Sequence, residues 1–261
     1  MSGTVQVLII RTAGTNCDRE TQSAFELAGA RVAVRHVNEL TGARRVFDDV
    51  QIIALPGGFT YGDDIAAGKI LANELRMRLQ EPLRRFLERN GLIIGICNGF
   101  QALVKMGMLP GNADWTQEVT LAGNDSGLFE ARWVYLRRFP GARCVWTRGI
   151  ENLLYLPVAH GEGKFIARNP QCIQRLAGAG QLVLRYCTRA GEVTGYPGNP
   201  NGSQEHVAGI CDETGRVFGL MPHPERFVLT TQHPHWTRLN GRRPADGLAV
   251  FQAGVQYVRQ S

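Results

Sequence analysis

The chain has 261 residues, 44% hydrophobic and 20% charged, with a formal net charge of +6. These proportions suit a globular protein with an ample core. No apolar run approaches the ~18 residues of a membrane span, no signal-peptide pattern opens the chain, and the arginines are scattered without a nucleic-acid recognition motif. Neither a membrane nor nucleic acid is expected as a partner, and a cytoplasmic protein is expected. Six cysteines occur without a Cys-x-x-Cys pair, which argues against zinc and dithiol chemistry and for free thiols in a reducing compartment; no metal site is expected.

In chain order, Val5–Ile10 reads as a strand, followed by a turn at residues 11–16 and a helix to Ala28 capped by Asn16 or Asp18. Arg31–Val37 alternates as a half-buried strand, and Gln51–Leu55 is a third. Ile70, Leu71, Leu75, Leu79, Leu83 and Phe86 mark a long helical stretch that Pro82 should break. Leu92–Ile96 is a fourth strand, and Ala102–Met106 a short helix stopped at Gly107. Beyond Gly111 the pattern changes to short strands at Ala131–Leu136, Ala142–Thr147, Leu153–Val158, Leu182–Tyr186, Val207–Cys211 and Val217–Gly219. A helical turn at Ile173–Leu176 interrupts them, and an amphipathic helix closes the chain at Ala245–Val258. The expected fold is α/β, a mostly parallel central sheet flanked by helices with extra short strands in the C-terminal half, over residues 1–261 as one domain.

Chemistry concentrates where strands end. Gly95-Ile96-Cys97-Asn98-Gly99 follows an apolar strand and opens a helix, the pattern of a nucleophile elbow with Cys in the place of Ser. Its glycines permit the sharp turn, and a thiol exposed at the tip near a helix N-terminus would favour the thiolate. A cysteine nucleophile needs a base and the base an orienting group. Met221-Pro222-His223-Pro224-Glu225 supplies both if the prolines hold it extended, so that His223 and Glu225 project to one side. An oxyanion needs backbone N–H donors. Gly58 or Phe59, in the turn Pro56-Gly57-Gly58-Phe59, can offer one and Asn98 the other.

Together these pieces resemble the class I (triad) glutamine amidotransferases, a flavodoxin-like family, and more narrowly the glutaminase subunits of phosphoribosylformylglycinamidine synthase. Ala13-Gly14-Thr15-Asn16-Cys17-Asp18, Phe59-Thr60-Tyr61-Gly62-Asp63-Asp64, Phe129-Glu130-Ala131-Arg132-Trp133-Val134, His160-Gly161-Glu162-Gly163-Lys164-Phe165, Asn199-Pro200-Asn201-Gly202-Ser203 and Gly209-Ile210-Cys211 extend the match over nearly the whole chain. The resemblance implies a triad of Cys97, His223 and Glu225, with Gly57, Gln101, His160, Gly161 and Glu162 holding the substrate L-glutamine. It also implies a separate synthetase subunit that receives the ammonia and carries ATP and Mg, with a small accessory subunit as a further partner and no cofactor here. No Walker-type phosphate loop is present. Two stretches depart from the pattern: Arg11-Thr12-Ala13-Gly14 replaces a Phe-Pro-Gly-like turn, and the segment 229–244 is longer than in the shortest members. The rival readings are an amidotransferase for another synthetase, a cysteine peptidase of the same fold (where His often follows the nucleophile, unlike Asn98), or a binding protein without activity.

Overall fold

Apolar runs too short for helices become the inner strands of a nine-stranded sheet in this computed structural model, which describes residues 3–42, 44–151, 153–239 and 245–261. The strands are β1 (Gln6–Arg11), β2 (Arg31–His36), β3 (Ile52–Leu55), β4 (Leu92–Ile96), β5 (Val119–Gly123), β6 (Glu130–Arg138), β7 (Leu154–His160), β8 (Glu162–Ala167), β9 (Leu182–Cys187), β10 (Val207–Cys211) and β11 (Val217–Leu220). The large sheet runs β2-β1-β3-β4-β11-β10-β9-β6-β7, and β5 and β8 form a separate antiparallel pair. From β2 to β11 neighbours are parallel; from β11 to β7 they are antiparallel. The sheet is thus mixed, not mostly parallel. Its second half lacks the crossover helices that parallel neighbours require.

The helices are α1 (Asp18–Leu27), α2 (Val37–Leu40), α3 (Lys69–Glu88), α4 (Asn98–Lys105), α5 (Pro170–Gly178), α6 (Trp236–Leu239) and α7 (Leu248–Gln260). Pro82 does not break α3, whose 20 residues run through it. The ring removes one backbone bond, but Leu71, Leu75, Leu79, Leu83 and Phe86 are all buried and hold the helix to the core. The residue before α1 is Cys17, without a side-chain cap; its thiol donates instead to the Asn16 side-chain oxygen Oδ1, at 3.2 Å. The expected strand Ala142–Thr147 is absent. Val145–Thr147 is a 3-10 turn, and the buried Trp146 donates to the Arg216 carbonyl at 3.0 Å. Its ring meets Phe25 of α1 edge-on, and Phe25 in turn meets Phe251 of α7. Packing of the indole decides this segment over its apolar alternation. Residues 240–244 of the long C-terminal segment lie outside the described residues, and among those described no helix is long and apolar enough to cross a membrane.

Candidate active site

β4 is buried along its whole length and delivers Cys97 at φ 50°, ψ −104°, a conformation that non-glycine residues avoid. Such strain costs on the order of 1–3 kcal/mol and persists only where surroundings enforce it. Here the Cys97 N–H donates to the Leu220 carbonyl at 2.8 Å, joining the elbow to the end of β11. A Cβ on Gly99 would run into the Leu55 carbonyl at the end of β3, so only glycine lets α4 leave at this angle. The thiol is not the exposed tip expected from the sequence. Cys97 is 5% exposed, with Sγ 3.7 Å from the Ala159 carbonyl of β7, because β7 covers the elbow.

β11 runs parallel to β4 in register, Leu220 opposite Ile96, so the segments leaving both strands start side by side. Three residues on, the His223 N–H donates to the Pro157 carbonyl at 2.8 Å. Pro224–Arg226 is a 3-10 turn, where extended chain was expected; proline's fixed φ suits a first helical position. The turn still brings Glu225 Oε1 within 2.5 Å of His223 Nδ1, both residues being buried. Burial works against a charged ring, but the Glu225 carboxylate overrides it, followed by Cys97 and Cys17, and holds His223 well above the ordinary histidine range. The Nε2 atom is buried with no hydrogen-bond partner at ordinary distance.

The Pro56–Phe59 loop lies against this ring. A Cβ on Gly57 would come within 2.7 Å of His223 Cε1. Gly58 has φ 153° and faces the Gly14 carbonyl so closely that no side chain fits. The Phe59 N–H is already spent on the Gly14 carbonyl at 2.9 Å, whereas no backbone carbonyl among the described residues accepts from Gly58. Of the two sequence candidates in this loop, Gly58 is therefore the one free to donate. Asn98 begins α4, where the first N–H groups lack helical partners.

Gln101, His160, Gly161 and Glu162 are tied by hydrogen bonds to one another or to the buried Asn98 and Asn124. Asn98 Oδ1 accepts from the Thr60 hydroxyl and N–H, and its Nδ2 donates to Asp63 at 3.0 Å and to Gln101 at 3.1 Å. Gln101 Nε2 donates to the Glu162 carbonyl at 2.5 Å, so both polar ends of Gln101 are engaged within the protein. The Glu162 carboxylate accepts from the Ala67 N–H and lies 3.6 Å from Lys105 Nζ. Burial raises the Asp63 pKa and lowers that of Lys105. Asn124 binds His160 Nδ1 and also donates to the His160 carbonyl, and its N–H bonds the Gly161 carbonyl. Burial, aided by the charge of His223, pushes His160 down to about 4, so this ring is neutral beside a charged one.

A family profile described as a CobB/CobQ-like glutamine amidotransferase domain matches residues 4–258. A phosphoribosylformylglycinamidine synthase subunit PurQ of Dehalococcoides mccartyi is 51% identical over 98% of both chains. The chain belongs to the PurQ family of glutamine amidotransferases. A PurQ of Methanococcus maripaludis is 40% identical, again over 98% of each chain. The structure of PurLQS from Thermotoga maritima superposes with a TM-score of 0.74 at 30% identity, covering 98% of this chain and all of that one.

In this PurQ-family chain Cys17 stands within one of the motifs quoted above without a role, and Arg226 directly follows Glu225. The structure brings both to the site. Cys17 Sγ, His223 and Glu225 offer ligand atoms within 4.8 Å of one another, a set able to hold a metal ion. Nδ1 and Oε1 are nevertheless bound to each other, and Arg226 Nη2 donates to Cys17 Sγ at 3.1 Å. A divalent ion would have to break these bonds and sit beside a guanidinium. The only sequence signal for Cys17 was its place just ahead of a helix whose N-terminus faces the Gly57 loop; nothing local linked it to residue 223.

Proposed function

We propose that this chain is the glutaminase subunit of a phosphoribosylformylglycinamidine synthase, supplying ammonia for purine biosynthesis. Cys97 Sγ attacks the side-chain amide carbon of glutamine. Gly58 and Asn98 N–H groups hold the oxyanion, the C–N bond breaks, and ammonia leaves with the proton given by His223. The same ring then takes a proton from water, which cleaves the thioester to glutamate and restores the thiol. Glu225 keeps the ring oriented and favours its charged form. Gln101, His160, Gly161, Glu162 and Gly57 shape the glutamine pocket, with Gln101 acting through its hold on the Glu162 backbone.

The partners are a synthetase subunit, with ATP and Mg on its side, and a small accessory subunit. A cytoplasmic site suits the six free, buried cysteines. One apolar cluster runs from Val5 to Val255, which supports a single domain. What carries the reading is the strained cysteine bonded by its N–H to the strand that leads to His223 and Glu225, in a chain half identical to a PurQ. The experiment is glutamate release from glutamine by the assembled synthase carrying Cys97→Ala. Glutamine-dependent turnover should vanish, added ammonia should still support amidine formation, and a glutamine-mimicking electrophile should label Cys97 in the parent. Normal turnover by the variant, or labelling of Cys17 first, would overturn it.

A further inference from the structure

Among the buried thiols, Cys17 is bonded to groups from three elements around His223 and receives an arginine N–H at 3.1 Å, against 3.7 Å for Cys172. Its N–H donates to the Gly57 carbonyl at 3.2 Å, which ties it to the loop under the imidazole. Its carbonyl accepts from the Thr21 hydroxyl at 2.7 Å, which fixes it to α1. Its sulfur accepts from Arg226 at 3.1 Å and donates to Asn16 at 3.2 Å. That sulfur would lie 3.4 Å from a Cβ on Gly57, on the side where the same Cβ would meet the His223 ring. Arg226 follows Glu225 directly, so the guanidinium holding the sulfur comes from the turn that carries the base and its orienting carboxylate.

We propose that Cys17 is a positioning residue for ammonia release: its sulfur, held by Arg226, fixes the His223–Glu225 pair and the Gly57 end of the oxyanion loop as one unit. This rests on the glutaminase reading above. Cys17 makes no bond to glutamine and takes no part in the covalent steps. It backs the ring where the Gly57 loop lies against it and keeps the ring from turning out of line.

The groups facing His223 are Glu225 and Arg226 from its own turn, Cys97 from the elbow, His160 from β7 and Cys17 from the start of α1. Of these, Glu225, Cys97 and Cys17 support the charged ring. The Cys17 sulfur lies within 4.8 Å of the ligand atoms of both His223 and Glu225, so removing it loosens the pair that holds the imidazolium and lowers the pH at which His223 loses the proton that ammonia carries away.

The test is the pH profile of kcat/KM for glutamine hydrolysis by the assembled synthase, in the parent, Cys97→Ala, Cys17→Ala and Cys17→Ser. Cys17→Ala should lose roughly ten- to a hundredfold in kcat with little change in KM, the scale of a misplaced catalytic group. Its alkaline limb should move to lower pH. Cys17→Ser should recover most of the rate, because a hydroxyl can accept from Arg226. If Cys17→Ala does not fold, Cys17→Val, which restores volume without polarity, carries the same expectation. A Cys17→Ala profile superimposed on the parent's overturns the inference. So does a rate loss with an unmoved limb, or a serine variant no better than alanine. Activity surviving in Cys97→Ala would instead remove the glutaminase reading itself.

Discussion

At the scale of residues, the site depends on atoms that are missing as much as on those present. Gly57 has no Cβ where one would meet the His223 ring at 2.7 Å, and its φ is not positive, so alanine is tolerable to the backbone there. Gly57→Ala should therefore push on the imidazole with little effect on folding. We expect kcat for glutamine hydrolysis to fall on the order of a hundredfold while the thermal midpoint moves only slightly; steady-state kinetics beside a melting curve would show it. His160 gives a second expectation. Its folded pKa of about 4 lies below the ordinary histidine value of 6.5, so the unfolded chain binds its proton first as pH falls. Stability from this group is complete above about 6.5 and declines toward 4, by roughly 3 kcal/mol over the window. His223 has the opposite shift and contributes the opposite trend at higher pH. Denaturant unfolding between neutrality and mild acid should show a shallower pH dependence in His160→Gln than in the parent.

At the scale of elements, one side chain bridges α4 and the segment that follows the Pro56–Phe59 loop. Asn98 bonds Thr60, Asp63 and Gln101 from the first turn of α4, and is fully buried. Asn98→Ala would leave Asp63 and Gln101 with unmet bonds, a cost of about 1–3 kcal/mol, measurable as a lower denaturation midpoint with an unchanged slope. The sequence made some of this visible and hid the rest for physical reasons. Leu92–Ile96 and the Gly-x-Cys-x-Gly turn were legible because a short apolar run and flanking glycines encode their conformation locally. The β5–β8 pair was missed, since five- and six-residue strands containing Gly carry little periodic signal. Ala142–Thr147 misled because its packing is set by Phe25 and Arg216, both distant in sequence. Cys17 was silent for the same reason, being defined by residues 40 to 209 positions away.

On the scale of the whole molecule, Cys97, His223 and Glu225 are all nearly buried, and Phe59 and Phe129 lie with ring centroids 6.2 Å apart and each about half exposed beside them. Ammonia released to bulk water is lost to protonation, so a subunit that opens only when docked is the economical design. The glutaminase rate of the free chain should rise when synthetase, ATP and nucleotide substrate are added. A shift of ~1–3 kcal/mol in the closed–open balance corresponds to roughly 5–150-fold. A free chain already running at the complexed rate would exclude this gating.

The placement of β11 also bears on how the protein comes into being. Although late in the chain, it lies between β4 and β10, and its Leu220 carbonyl receives the Cys97 N–H. During synthesis, β4 emerges with β3 on one side and an open edge on the other, an edge that can pair wrongly. That edge stays open until β11 has left the ribosome, and His223 follows within a few residues. Nascent chains therefore hold Cys97 long before they hold His223, and none that ends ahead of residue 223 carries the pair.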